Sequence, residues 1–298
     1  MKPVGLLLVD KPEGPTSHDM VEIARRLIGV RRVGHAGTLD PLASGLMLLC
    51  VGWATRLAEY LAVLPKTYRA VIRLGERTDT DDRTGVVMAR SEAWREVDAG
   101  QVRRALQRQL GEFEQLPPAY SAKKVAGQQA YVVARAGEAP QLQPQRVTIW
   151  RLSLSEMSLP SLTVEAECSS GTYVRSVARD LGEALGVGAH LTGLRRLRVG
   201  SFDVADAIAL GQYTLSDRVI AQLRPPEAAV AHLRRVDLSA EAREALRHGR
   251  PVEWRGVDAE GPVAVFVDGE LVALAYAREG QLRPKKVFVA ELGSRQDE

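Results

Sequence analysis

Gly34-His35-Ala36-Gly37-Thr38-Leu39-Asp40-Pro41-Leu42-Ala43-Ser44-Gly45 sets a single carboxylate among small, apolar and hydroxylic residues. Its three glycines open backbone conformations closed to other residues. Pro41 fixes its own φ and pushes Asp40 out of the helical region, so the loop has few alternatives to one defined shape. An isolated Asp-Pro pair reads as an Asx-type turn that starts a loop. The glycine and hydroxyl setting around this pair points instead to a loop built to hold one Asp.

Working outward, Leu6 to Val9 reads as a buried strand. Thr16 with Asp19 makes a capping box for a helix through Ile28, where Val21, Ala24, Leu27 and Ile28 form the apolar stripe and Gly29 stops it. Tyr68, Ala70, Ile72 and Leu74 alternate with Arg69, Val71 and Arg73; Leu162, Val164, Ala166 and Cys168 alternate with Thr163, Glu165 and Glu167. Both are half-buried strands. Asp98 caps a helix carrying Val102, Leu106 and Leu110 before Gly111, and Val174, Val177, Leu181 and Leu185 stripe another that ends at Gly186. Strands separated by such helices give an α+β domain, a mainly antiparallel sheet flanked by helices.

The chain has 298 residues, enough for about two domains, and 45% hydrophobic residues supply a core. Pro225-Pro226 cannot continue a helix or a central strand and marks the break, giving one domain over 1–227 and a second over 234–292. In the second, Ser239 caps a helix to His248, Asp268-Gly269 joins two apolar runs as a hairpin, and a final strand runs from Arg283 to Val289. A small β-rich accessory domain accounts for this pattern.

No membrane span is visible, and the N-terminal apolar run is too brief for a signal peptide, so a cytoplasmic protein is expected. Cys50 and Cys168, the two cysteines, read as small buried hydrophobes. The five histidines show no metal-ligand spacing, so no metal is expected. Gly186-Val187-Gly188-Ala189-His190-Leu191 starts like a dinucleotide fingerprint but follows a helix and ends in Leu, and no Walker pattern is present. A dehydrogenase or NTPase is disfavoured. The net charge of +3 is modest, but positive charge is clustered at Arg31-Arg32, Lys123-Lys124, Arg195-Arg196 with Arg198, Arg234-Arg235, and Arg283 with Lys285-Lys286. Five such knots favour a phosphate-lined surface and a nucleic-acid partner.

The twelve-residue loop sequence resembles the signature of the TruB family of tRNA pseudouridine synthases. Further blocks resemble the family in its own order: Gly5 to Ser17, Lys66-Thr67-Tyr68-Arg69, Pro117 to Lys124, Cys168 to Arg175, and Leu194-Arg195-Arg196-Leu197. The resemblance covers roughly residues 4 to 200 and weakens beyond, where the C-terminal module looks like a PUA-type RNA-binding barrel. It implies that Asp40 is catalytic, that Arg175 is its active-site partner, and that Tyr68 stacks on the flipped base. It also implies that His35, Tyr173 and Leu194 line the substrate pocket, and that residues 112–137, including Lys124, form an insertion that grips RNA. The implied substrate is uridine 55 in the tRNA T-loop, and the implied partner is tRNA, bound at its T-stem and T-loop, with the acceptor arm contacted by the C-terminal domain.

Isomerising uridine to pseudouridine breaks the bond from ribose C1′ to N1, turns the base while bound, and joins C1′ to C5, so no cofactor is required. Asp40 attacks C1′ as a nucleophile or removes the C2′ proton, and either route needs the ionised carboxylate. A dry pocket that must keep a carboxylate charged needs a cation beside it, and Arg175 is the candidate. Tyr68 offers an aromatic face for uracil and a phenol able to assist proton removal from C5; a core tyrosine on the inward strand face has the same pattern. The competing readings are a non-catalytic RNA-binding protein on the same scaffold and a guide-RNA-dependent synthase subunit. Intact Asp40, Tyr68 and Arg175, with no long basic extension, suit a stand-alone monomeric enzyme acting on tRNA.

Overall fold

The computed structural model describes residues 2–288, apart from 122, 126, 127, 137, 139, 212 and 213, with backbone alone at 124, 125, 129, 131, 134 and 135. The first half of the chain gives β1 (Gly5–Lys11), α1 (Ser17–Ile28), β2 (Val33–His35), β3 (Ala43–Val51), α2 (Ala58–Ala62), β4 (Lys66–Leu74), β5 (Glu76–Thr78), β6 (Val87–Arg90), α3 (Ala99–Gln107) and β7 (Gly111–Gln115). The remainder gives β8 (Lys124–Val125), β9 (Gln128–Gln129), α4 (Ala130–Arg135), β10 (Gln145–Ser158), β11 (Ser161–Cys168), α5 (Val174–Ala184), β12 (Ala189–Val199), β13 (Phe202–Asp203) and α6 (Ser216–Ala221). A C-terminal group follows, with β14 (Arg235–Leu238), α7 (Glu241–Arg247), β15 (Val252–Glu253), β16 (Pro262–Val267), β17 (Glu270–Arg278) and β18 (Gln281–Val287).

The larger sheet runs β1-β3-β12-β4-β11-β10-β7, with β2 beside β3 and β13 beside β12. Every pairing along it is antiparallel except β3 with β12. The smaller sheet, β14-β16-β17-β18-β15, curls into a half-barrel of the PUA-like kind. The architecture is α+β, as the alternating patterns imply.

β1 and β3 are apolar at nearly every position because both of their faces are covered. Leu6, Leu8, Leu46, Leu48 and Cys50 face one core, while Leu7, Val9, Met47, Leu49 and Val51 face another beneath α1 and α6. The expected capping box at Thr16 and Asp19 forms, and Gly29 closes α1 at φ 72°. β4 and β11 alternate as read, and their inward residues pack against the stripe of α5 and the Val102 and Leu106 face of α3. The Asp268-Gly269 turn has φ 53° and 80°, the left-handed pair that a two-residue hairpin requires.

Four local expectations are corrected. α3 ends at Gln107, and tight turn bonds from Gln109 and Leu110 back to Leu106 and Gln107 swing Leu110 out to 40% exposure. Ser239 does not cap α7: the helix starts at Glu241, whose carboxylate takes the Ser239 hydroxyl and is held below its usual range by that bond. Residues 112–115 of the expected insertion lie in β7, paired with β10 at the sheet edge. The final strand starts at Gln281, and Val289 lies outside the described residues.

One apolar core joins the two sheets. Leu6, Leu46 and Leu48 share it with Val265, Leu271, Leu274 and Phe288. Trp53 and Phe288 stack with ring centroids 4.8 Å apart, and the Arg56 guanidinium lies over the Phe288 ring, 4.9 Å from its centroid. Lys286 donates to the Arg56 carbonyl at 2.6 Å and pairs with Glu59. Phe288 is fully buried, so Phe288→Ala should lower the unfolding free energy by about 3 to 5 kcal/mol. Urea unfolding measures this, and a change below about 1 kcal/mol would mean that the ring is not part of the core.

Candidate active site

The Asp40 loop is fastened from three directions. Ser17, the first residue of α1, donates its hydroxyl to the Leu39 carbonyl at 3.1 Å and accepts from the Leu39 N–H at 2.9 Å. Lys11, fully buried at the end of β1, donates to the Ala43 carbonyl at 2.6 Å and to Pro12 at 2.9 Å. Burial pushes its ammonium below the usual range, opposed by the charge of Asp40. Arg196, 1% exposed on β12, donates to the carbonyls of Leu46, Thr38 and Gly37 at 2.6, 3.3 and 3.3 Å. These three neutral carbonyls fix both the loop and the start of β3.

Register then places the candidate groups. β12 lies between β3 and β4, with Arg196 opposite both Gly45 and Tyr68, and Leu194 opposite both Ala43 and Ala70. Directly opposed residues share a sheet face, so Tyr68, Arg196 and Leu194 come together. Position 45 must lack a side chain: its φ is 102° and a Cβ there would meet the Arg196 carbonyl oxygen at 2.2 Å.

Arg175 approaches from the first turn of α5. Its helix is seated by Gln115, whose side chain accepts from the Tyr173 N–H at 2.8 Å and donates to the Tyr173 carbonyl at 3.2 Å. The guanidinium pairs with Asp40 at 3.0 Å and with Asp82 at 3.5 Å, and donates to the carbonyls of Thr80 and Tyr120 at 3.2 and 3.0 Å. Its side chain is 6% exposed and that of Asp82 4%, while Asp40 keeps 39%. The carboxylate therefore stands at a pocket mouth and its buried cation behind it, in place of the dry pocket expected for Asp40.

Asp40 and Arg175 divide two cavities. One, of about 320 Å³, is lined by Tyr68, Lys66, Leu194, Tyr173, Arg196 and the 169–172 turn; the other, of about 650 Å³, by Asp79, Thr80, Asp82, Thr84, Tyr120 and Ser121. Tyr68 is thus both a core residue, 8% exposed, and a pocket wall. Burial raises its phenol above the usual range, with Arg196 opposing. Tyr173 is raised by burial as well. His35 sits half-buried on β2 and does not line either cavity; burial first, then the charge of Arg196, lowers its imidazole. The side chain of Lys124 lies outside the described residues. Cys50 and Cys168 are buried thiols pushed up to about 12 and about 11.

Sequence reading missed Lys11, Ser17, Lys66, Asp82 and Arg196 as parts of the site. Asp82 carried a signal, since Thr80 and Thr84 flank it at the spacing of a hydroxyl-capped turn, and both hydroxyls donate to its carboxylate, at 2.9 and 2.5 Å. The basic knots are also corrected: Arg195 forks onto Asp10 at 3.0 and 2.7 Å, Arg196 is interior, Arg235 pairs with Asp237, and Lys286 binds Glu59. Arg31 and Lys123 stay exposed.

A long, mainly antiparallel sheet flanked by helices and followed by a small β half-barrel is the fold of the pseudouridine synthases. Among solved structures, a Cbf5-Nop10-Gar1 complex aligns with TM-score 0.74 at 26% identity, covering 95% of this chain and 84% of that one. An H/ACA RNP bound to a substrate RNA containing 2′-deoxyuridine aligns with TM-score 0.73 at 25% identity and the same coverage. The model of the TruB family pseudouridylate synthase (N terminal domain) matches residues 25–174, that of the tRNA pseudouridylate synthase B C-terminal domain 175–222, and that of tRNA Pseudouridine synthase II, C terminal, 233–289. The tRNA pseudouridine synthase B of Thermobifida fusca is 43% identical over 293 residues, 95% of this chain and 98% of the relative. That of Cutibacterium acnes is 44% identical over 296 residues, 96% and 98%. The chain belongs to the TruB family.

Removing Asp82 takes the buried acceptor from Thr80 and Thr84 and leaves Arg175 with Asp40 as its one carboxylate. Asp82→Ala should therefore cost about 1 to 3 kcal/mol of stability and loosen Arg175. Thermal and urea unfolding of the variant check this, and unchanged stability would show that Asp82 does not hold the guanidinium.

Proposed function

We propose that the protein isomerises uridine to pseudouridine in tRNA, at position 55 of the T-loop, with Asp40 as the reacting carboxylate. The observation that carries this reading is the 3.0 Å pair between Asp40 and buried Arg175 at the mouth of the cavity walled by Tyr68. An extruded base enters that cavity and stacks on Tyr68, with Tyr173 and Leu194 against it; flipping costs a few kcal/mol, offset by these contacts and by phosphate contacts. Arg175 fixes the carboxylate against ribose C1′ and C2′ for either of the two routes. The raised Tyr68 phenol remains protonated at neutral pH, so its ring binds the base first and its oxygen accepts a proton only after another group has taken its own.

We read the enzyme as a cytoplasmic monomer; no helix among the described residues is long and apolar enough to cross a membrane. The C-terminal half-barrel contacts the acceptor arm, a reading that rests on its PUA-like form. A non-catalytic scaffold is disfavoured because Asp40, Tyr68 and Arg175 converge on one cavity. Relatives named tRNA pseudouridine synthase B are 43% and 44% identical across almost their whole length, against 25% and 26% for the H/ACA and Cbf5 structures. This favours the tRNA enzyme over the guide-dependent subunit.

Incubating the protein with an unmodified tRNA transcript and mapping pseudouridine tests the assignment; folded protein and folded tRNA without product at uridine 55 would end it. Asp40→Asn keeps the loop but removes base and nucleophile, so turnover should vanish while tRNA still binds. Parallel loss of binding would point to a folding defect instead.

Tyr68→Phe keeps the stacking face and Tyr68→Leu removes it. Single-turnover rates should fall from Tyr to Phe to Leu, with stacking worth about 1 to 3 kcal/mol and a positioned proton acceptor about 10²- to 10⁴-fold. Equal rates for Phe and wild type would remove the phenol from the chemistry, and wild-type rates for Leu would remove the ring.

A further inference from the structure

The wall of the 320 Å³ cavity carries more positive than negative charge. Asp40 and Asp82 share the single guanidinium of Arg175, and Asp82 lines the other cavity. That leaves Lys66 and Arg196, 6% and 1% exposed, both lining the cavity. Arg196 meets neutral carbonyls at Leu46, Thr38 and Gly37. Lys66 donates one hydrogen bond to the Ala62 carbonyl, and no carboxylate pairs with it among the described residues. An ammonium has three donors, so two remain for an occupant. Burying a cation without a counter-ion costs several kcal/mol, and such a cost persists in a binding site when the occupant supplies the missing charge.

Lys66 and Tyr68 stand two residues apart on β4, both buried, and therefore share a face. A pyrimidine stacked on Tyr68 presents its polar edge to neighbours on that wall. In the isomerisation, the C1′–N1 bond breaks with its electron pair going to N1, and the base becomes a uracil anion whose charge spreads over O2 and O4. Asp40 either forms a bond to C1′ or takes the C2′ proton; the departing base is anionic in both cases. When C5 attacks C1′, the bond to Asp40 breaks or the C2′ proton returns, C5 loses its proton, and N1 gains one.

We propose that Lys66 is a catalytic residue whose ammonium hydrogen-bonds the carbonyl edge of the detached base and stabilises its negative charge while the base turns. The inference rests on the isomerase reading above. It asks of Lys66 charge and position rather than proton transfer. Burial first, and then Arg196, lower the Lys66 ammonium to about 8. The other titratable groups around it are Cys168 from β11, raised to about 11, Tyr68 on its own strand and Tyr173 before α5, both also raised, and Asp40 on the facing loop. Lys11, also lowered by burial, binds the Ala43 carbonyl and does not line this cavity, and Arg175 and Arg196 keep their charge, so a loss of positive charge within the cavity near pH 8 is assigned to Lys66.

The test compares wild type, Lys66→Met and Lys66→Arg on an unmodified tRNA transcript, reading the single-turnover rate, the tRNA Kd with its salt slope, and thermal unfolding. We expect Lys66→Met to lose on the order of 10²-fold in rate, the scale of one preorganised donor, with Kd changed less than about twofold and the salt slope unchanged. The wild-type rate should fall as pH rises past about 8, since the ammonium is lost there; Lys66→Arg should remove that fall. A Met variant that is folded and within about threefold of the wild-type rate overturns the proposal. So does a loss confined to Kd with a shallower salt slope, which would make Lys66 a phosphate contact. Should the Met variant not fold, a wild-type rate flat from pH 7 to 9.5 overturns it alone. Failure of wild type to make pseudouridine at all would instead defeat the functional reading.

Discussion

The close approach of Gly45 to the Arg196 backbone is the constraint from which the site follows. It is the one parallel pairing of the large sheet, and it brings the strand that follows the Asp40 loop against the strand that faces Tyr68. With a glycine there, the Arg196 side chain can turn back over the loop and bind the carbonyls of Gly37 and Thr38. Any larger residue at 45 would drive the strands apart and move Asp40 and Tyr68 relative to each other. Ser17 and Lys11 complete the clamp, so the loop is held at Leu39, Ala43 and the two carbonyls between β2 and Asp40.

Around this frame the charges are arranged in layers. Asp82 is buried and fully engaged by Thr80, Thr84 and Arg175; Arg175 is buried and reaches forward; Asp40 is the outermost member and keeps access to solvent. A carboxylate that must form or break a bond with an incoming ribose needs that exposure, and a guanidinium that orients it loses less freedom when its other donors are already fixed to carbonyls. On the proposed mechanism, interior electrostatics thus belong to the scaffold, and reactivity to the rim.

Much of this was legible in the chain because period and packing agree. Leu6 to Val9, Tyr68 to Leu74 and the Val174 to Leu185 stripe each match one repeat, and each folds as that repeat requires. Asp40, Tyr68 and Arg175 were legible through resemblance, and their convergence is a property of the sheet register rather than of any local spacing. Arg196 was not legible: Leu194-Arg195-Arg196-Leu197-Arg198 looks like a solvated strand, and its partners lie about 150 residues earlier, at Gly37, Thr38 and Leu46. Lys66 was missed for a different reason: its carbonyl partner, Ala62, lies only four residues earlier, but a lysine at a strand start is ordinarily exposed. Buried cations bonded to distant carbonyls leave no periodic trace.

The boundary at Pro225-Pro226 shows how composition and energetics can diverge. The prolines do end one run of structure, but Arg224 exchanges both backbone hydrogen bonds with Leu6 at 2.9 Å, stitching the connection to β1. Beyond it, the half-barrel turns Val265, Leu271, Leu274 and Phe288 onto the same core as Leu6, Leu46 and Leu48. Apolar surface stabilises by about 25 cal/mol per Å² removed from water, so a cut at the prolines would expose two matching faces rather than release an independent module. The C-terminal lysines make the same point electrostatically: Lys286 spends its charge on Glu59 and the Arg56 carbonyl across the joint. The half-barrel therefore shares one apolar core with the sheet on which the Asp40 loop is built.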